Sequence, residues 1–264
     1  MIVDTHSHLY YPELKSNLDE ILKRAQDIGI EKIIIPSVNI ETIKEIIDIS
    51  DKYEIIYTAV GIHPTDVKNS QRKHIKLIEE YLQHPKVVAI GEIGLDFYWD
   101  KSNIDEQKYF FEEQINIAIE YDLPIIIHTR NSIEDTIELL NKEAYIKIKG
   151  QFHCFSGNKE NLEKILSNDN FFISFCGNIT YKNYKKTEII KSIPPQKLLF
   201  ETDSPFMTPI PIKNKINEPA NIIYTIIRLS EILNIEFDAL VEIVYNNSYK
   251  LFKKLKGENK NNII

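Results

Sequence analysis

Apolar positions along the chain gather into eight short runs rich in β-branched residues: "MIVDT" (1–5), "EKIIIPS" (31–37), "IIYTAVGI" (55–62), "KVVAIGEIGLD" (86–96), "PIIIHT" (124–129), "GQFHCF" (150–155), "FFISFCGNI" (171–179) and "KLLFETD" (197–203). Continuous runs of this length read as strands buried on both faces, as in a parallel sheet. Between them lie stretches with helical spacing. "LDEILKRAQDIG" (18–29) sets Ile21, Leu22, Ala25 and Ile28 on one face and stops at Gly29. The stretches 105–122 and 132–144 read the same way, and Ser132 with Asp135 has the spacing of a capping box. Eight strand-then-helix units predict a (β/α)8 TIM barrel, an α/β fold in a single domain. A doubly wound open sheet is the alternative, but the GxGxxG fingerprint that would follow its first strand is absent. Two further helical patterns occupy 219–255, the second expected to cover the barrel. The domain is placed at 1–256, with 257–264 a frayed tail.

Composition narrows the class. The chain has 264 residues, 43% hydrophobic and 27% charged, as in a water-soluble globular protein. No apolar run approaches the ~18 residues of a membrane span, and no basic-then-apolar leader is evident. Two cysteines, Cys154 and Cys176, are too few for a disulfide framework and point to a reducing, cytoplasmic setting. Net charge is −7, whereas proteins that hold nucleic acid by bulk electrostatics are basic. Any polyanion must therefore meet a local cationic site, which bound metal ions could supply.

Reactive groups of a (β/α)8 barrel stand at the C-terminal ends of its strands. Five of the seven histidines fall there: His6 and His8 after the first strand, His63 after the third, His128 after the fifth and His153 after the sixth. Glu92 and Asp96 end the fourth and Asp203 the eighth; His74 and His84 lie elsewhere and read as surface residues. His6 and His8 are two apart, so on a strand they share a face. An HxH pair alone fits a polar rim as readily as a metal site. Joined by two further strand-end histidines and an acid, metal binding is the better account. Glu92, near Gly91 and Gly94, is a carboxylate able to bridge two cations, or else a loop residue. Asp203 is a ligand or a base, or else a helix cap before Pro205.

In order and at similar spacing, "DTHSHL", "GIHP", "GEIGLD", "IIIHTR", "HCFSG" and "ETDSPF" resemble the TatD-type metal-dependent deoxyribonucleases of the amidohydrolase superfamily, over residues 2 to about 250. The resemblance implies two divalent ions (Mg, Mn or Zn), one held by His6, His8 and Asp203 and the other by His128 and His153, with Glu92 as the bridge. It implies that Asp203 orients or deprotonates the attacking water, that His63 faces the scissile phosphate and that Asp96 supports the ligands. A glutamate at the end of strand four separates the chain from phosphotriesterase-like relatives, which use a carboxylated lysine there.

The departures are local. Where similar proteins often read RGKRNEP, this chain reads "KNKINEP" (213–219). Lys213 and Lys215 keep positive charge there, without the planar fork by which arginine grips phosphate. Asn131 replaces a frequent acid. Arg130 reads either as a phosphate contact or as a structural ion pair, and Tyr98 and Trp99 either as a base-stacking pair or as packing under a loop. Cys154 reads as a buried small hydrophobe, and Lys182, Lys185 and Lys186 as a solvated helix face. The expected activity is cleavage of DNA phosphodiesters, 3′–5′ from single-stranded ends, with no membrane and no obligate protein partner. Two rivals stand: a metallohydrolase of the same fold acting on a carboxylic ester or amide, such as an aminoacyl-tRNA ester, and a non-catalytic binding barrel.

Overall fold

The computed structural model describes residues 1–99, 101–212 and 215–256. Among them, eight strands pair in chain order, every neighbouring pair parallel. They are β1 (Ile2–Asp4), β2 (Ile30–Pro36), β3 (Ile56–Val60), β4 (Val87–Asp96), β5 (Ile125–Arg130), β6 (Gly150–Phe152), β7 (Phe171–Phe175) and β8 (Leu198–Phe200). The sheet returns on itself: Thr5 N donates to Phe200 O at 3.0 Å, Asp203 N to His6 O at 2.9 Å and His8 N to Ser204 O at 2.7 Å. Beside this seam the buried Asp4 carboxylate accepts from Thr202 N (3.0 Å) and Thr202 Oγ1 (2.6 Å). The predicted TIM barrel is therefore the fold.

The helices are α1 (Pro12–Lys15), α2 (Leu18–Asp27), α3 (Ile40–Lys52), α4 (Lys73–Glu79), α5 (Ile104–Glu120), α6 (Ile133–Leu140), α7 (Lys159–Leu166), α8 (Thr187–Lys191), α9 (Ile222–Leu233) and α10 (Phe237–Leu251). Their apolar faces and the outward faces of the strands form one continuous core, joining for example Ile21, Ile46, Phe110, Ile137 and Leu229 to Ile33, Ile125 and Phe200. The barrel interior is separate. Val3, Ile34, Ala59, Val88, Ile126, Phe172 and Leu199 meet Leu251, Phe252 and Leu255 of the C-terminal segment. That segment covers the N-terminal end of the barrel, so α10 is the extra covering helix. The opposite end is left to polar side chains.

Several local expectations change. Apolar patterning extends past the hydrogen-bonded strands, so β6 spans three residues where the pattern runs to 155, and β1 ends at Asp4. The backbone after Asp4 nonetheless stays paired, through Ser7 N to Ile34 O (3.1 Å) and a parallel bridge between Ser7 and Ser204. The two-residue spacing of His6 and His8 thus still acts as it would on a strand. Ser132 makes no capping box with Asp135; its hydroxyl donates instead to Leu95 O at 2.6 Å, fastening the start of α6 to β4. Reciprocal caps form at α3 (Asn39 with Thr42) and α7 (Asn158 with Asn161). Lys182, Lys185 and Lys186 lie in the loop before α8 rather than on a helix face, and Lys186 Nζ donates to the carbonyls of Ser156 and Gly157. The expected tail, 257–264, lies outside the described residues. Among the described residues no helix is long and apolar enough to cross a membrane.

Candidate metal centre

Alternation along the strands carries the inward set from apolar to polar as each strand reaches the mouth. On β5 it runs from Ile126 to His128 and past β8 from Leu199 to Glu201 and Asp203, while on β6 it is already polar at Gln151 and continues to His153. β4 contributes Glu92, next to a place where only glycine fits. Gly94 has φ +142°, and a Cβ there would stand 2.1 Å from His128 O. The close approach of β4 and β5 at Gly94 sets Glu92 against His128.

Seven buried or largely buried side chains converge. His6 Nε2 lies 3.1 Å from His8 Nε2, 3.4 Å from Glu92 Oε2 and 3.7 Å from Asp203 Oδ1. His8 Nε2 lies 3.7 Å from Glu92 Oε2 and 3.5 Å from Asp203 Oδ1. Four ligands about 2.1 Å from one ion in tetrahedral array stand about 3.4 Å apart, so these four atoms frame a site of the right size. Two facing imidazole nitrogens and two carboxylate oxygens also offer lone pairs with too few protons between them, as a divalent cation requires. The other Glu92 oxygen serves a second group: Oε1 lies 2.7 Å from His128 Nδ1, 3.1 Å from His153 Nε2 and 3.5 Å from His63 Nε2. The His6 and His153 rings stack with centroids 4.0 Å apart.

The surrounding contacts orient this cluster. His128 Nε2 lies 2.9 Å from Asp96 Oδ2, and Asp96 Oδ1 accepts from Tyr98 N at 2.9 Å. His8 Nδ1 meets the Tyr10 hydroxyl at 3.1 Å. His63 caps the 3₁₀ turn Pro64–Asn69: its Nδ1 accepts from Thr65 N at 3.2 Å, which leaves Nε2 as the protonated nitrogen of the neutral ring. Asp203 adopts the left-handed backbone, φ 55°, a costly conformation of the kind that clusters at functional sites.

Sequence reasoning missed Glu201. Fully buried, it lies 3.4 Å from His153 Nδ1 and accepts from Cys154 N (2.6 Å), Gln151 Nε2 (2.8 Å) and Ser174 Oγ (2.8 Å). A signal was available: ligating histidines carry an orienting partner on the second nitrogen, and Glu201 is two residues before Asp203 on the same strand extension.

Proton equilibria follow from the same contacts. Burial alone would raise the Glu92 carboxyl, but His153, His63 and His6 hold it well below the ordinary carboxylate range. Burial likewise opposes ionisation of Asp203, which His8 and His153 nevertheless keep below its usual value. Burial would lower His153, yet Glu92 and Glu201 raise it well above an ordinary histidine. His128 is also raised, its hydrogen bonds to Asp96 and Glu92 outweighing burial. Burial, helped by neighbouring histidines, lowers His6 and His63. Asp4 is pushed up to about 8 by burial, against the bonds from Thr202 and His6.

The cluster floors a cleft of about 630 Å³ whose walls include Tyr11, Trp99, Arg130, Cys154, Phe206 and Met207. Arg130 makes no ion pair among the described residues; its guanidinium lies over the Tyr98 ring at 3.9 Å and the Trp99 ring at 5.2 Å. Trp99 is 68% exposed, so the pair stands at the rim rather than under a loop. Cys154 is half-buried and borders the cleft, unlike the fully buried residue expected. Lys215, exposed on the loop after β8, is not among the lining residues, and Lys213 lies outside the described residues. His74 and His84 lie away from the cluster, His84 paired with Asp51 at 3.2 Å.

Residues 3–253 match the family model described as TatD related DNase. The metal-dependent hydrolase YabD of Bacillus subtilis is 39% identical, over 96% of this chain and 99% of its own. The crystal structure of YjjV, a TatD homologue from Escherichia coli, superposes with a TM-score of 0.90 at 29% identity, covering 96% of this chain and 98% of that one. A TatD-family hydrolase from Entamoeba histolytica gives 0.87 at 28% identity, covering 95% and 97%. With the fold, the cluster and a match over nearly its whole length, this chain belongs to the TatD family of metal-dependent hydrolases.

Proposed function

We propose that the protein is a two-metal phosphodiesterase that shortens DNA from single-stranded ends in the 3′–5′ direction. The observation that carries this reading is the division of labour within Glu92, one oxygen facing His6 and His8 and the other facing His63, His128 and His153. His6, His8 and Asp203 would hold one ion and His128 and His153 the other, with Glu92 shared. When bound, such ions lower the pKa of water and offset charge on phosphoryl oxygens. Asp203, kept ionised, accepts the proton of the attacking water at its carboxylate. His63 presents Nε2–H to a phosphoryl oxygen, its tautomer set by Thr65. Arg130 adds positive charge at the rim.

The substrate class rests on shape and charge together. The chain is acidic overall, −7, so a broad duplex-binding face is not expected. Trp99, Tyr11 and Phe206 border the cleft, and unpaired bases stack on such rings for about 1–3 kcal/mol each. A strand end entering a pocket meets both conditions.

The test is hydrolysis of an end-labelled single-stranded oligonucleotide by chelated protein given Mg, Mn or Zn, beside His6→Ala. A metal-dependent ladder shortening from the 3′ end, lost in the variant, is expected. Silence with every metal while an acyl ester is cleaved would reassign the site to carboxylic esters.

A further inference from the structure

The roles above leave the two cysteines unused. Cys154 and Cys176 are 22 residues apart in sequence, yet their sulfurs are 2.8 Å apart. They follow the ends of the neighbouring strands β6 and β7. Cys154 comes directly after His153 with φ 42°, and its half-buried side chain borders the cleft. Cys176 is fully buried behind it. The Asn178 side-chain amide donates to Cys154 Sγ at 3.7 Å.

Two chemistries compete for such a pair. Together with Glu201 the thiols could ligate a soft metal ion. Thiolates sharing a zinc ion at about 2.3 Å in tetrahedral array stand about 3.8 Å apart, well beyond the separation found. Glu201 is moreover engaged by Cys154 N, Gln151 and Ser174. A disulfide needs the sulfurs at about 2.05 Å, a closure of less than about 1 Å from their present positions. Distance and ligand supply both favour covalent closure over metal binding.

We propose that Cys154 and Cys176 are a peroxide-reactive dithiol that closes to a reversible disulfide in the wall of the metal-centre cleft. The Cys154 sulfur, the one bordering the cleft, attacks one oxygen of hydrogen peroxide. The O–O bond breaks, Cys154 becomes a sulfenic acid, and the departing oxygen leaves as water with the thiol proton. The Cys176 sulfur then attacks the Cys154 sulfur and expels its hydroxyl as a second water, carrying the Cys176 proton. The two thiols lose two electrons in all, and one peroxide is reduced to two waters. A small dithiol reverses the bond by exchange. Because Glu201 Oε1 holds Cys154 N and also neighbours His153, closure acts on a segment that positions a ligand of the metal centre.

The test uses the full chain loaded with magnesium, which does not cycle redox states, treated with equimolar peroxide and then unfolded in iodoacetamide. The expected product is a monomer about 2 Da lighter that takes up no alkyl group and regains both thiols after dithiothreitol. Its peptide map joins the peptide of Cys154 to that of Cys176. In Cys176→Ser the same dose should leave a sulfenic acid on Cys154, trapped by dimedone; the wild-type map stands without this variant if it does not fold. Two alkylated thiols after peroxide, a cross-link between chains, or a sulfinic acid on Cys154 (about 32 Da heavier) beside a free Cys176 would each overturn the proposal.

Discussion

At the floor of the barrel, Leu251, Phe252 and Leu255 fill the space between Val3, Ile34, Ile126 and Leu199 in a cluster of aliphatic and aromatic side chains. At the mouth, the same strands lead to five buried or nearly buried histidines, Glu92, Asp203 and Glu201. Apolar packing at the floor lowers free energy without needing a charged partner. Buried ionisable groups at the mouth do so only while each finds its partner, and here the partners are one another. A site that spends stability in this way is what a fold tolerates for function. One end of the barrel therefore holds the protein together and the other does chemistry, and the two should respond to different perturbations.

The sharpest separation is expected from Glu92→Gln. Loss of the bridging charge should lower phosphodiester hydrolysis at saturating metal by about 10⁴-fold, or about 5 kcal/mol, read from initial rates. At the floor, Phe252→Ala should cost about 3–5 kcal/mol of unfolding free energy in urea titrations, with activity per folded molecule unchanged. Equal loss of activity in both variants would erase the distinction between the ends. Metal removal offers a third comparison. Each ion at a hundred times its Kd should stabilise the wild type by about 2.7 kcal/mol, or about 5.4 kcal/mol for two; calorimetry should find the same increment in Phe252→Ala and at most half of it in Glu92→Gln.

Smaller effects sharpen the mouth itself. Glu201→Gln should weaken metal binding about 10- to 100-fold in isothermal titration, because it loosens His153 without removing a ligand. Proton linkage gives the last prediction. His153 and His128 are raised above ordinary histidine values, and an ion must displace their protons. Metal binding at neutral pH should release protons, and affinity should still be climbing above about pH 7.5, where a free imidazole has largely shed its proton. Affinity already flat there would mean that no ion competes with protons on histidines held above their ordinary values.

The residues that converge at the mouth were legible because strand-end placement in a parallel barrel is a strong constraint. His6, His8, His128, His153 and Asp203 had only to be counted against eight apolar runs. Glu92 was legible as a carboxylate at the end of strand four, and its two-sided role emerged only once β5 was seen against Gly94. Glu201 was hidden within "LLFETD", where an acid two residues before Asp203 reads as strand-end solvation until Gln151, Ser174 and Cys154 N surround it. The Cys154–Cys176 contact joins neighbouring strands and leaves no local signature. Ser132 was misread because capping propensity is local, whereas its hydroxyl answers a carbonyl on β4.

In the proposed site Glu92 joins two metal positions. The most direct test of that bridge is elemental analysis of chelated protein reloaded with manganese and freed of excess, wild type beside Glu92→Gln. Two ions per wild-type chain and at most one in the variant are expected. Two ions in both proteins, or none in the wild type, would contradict it.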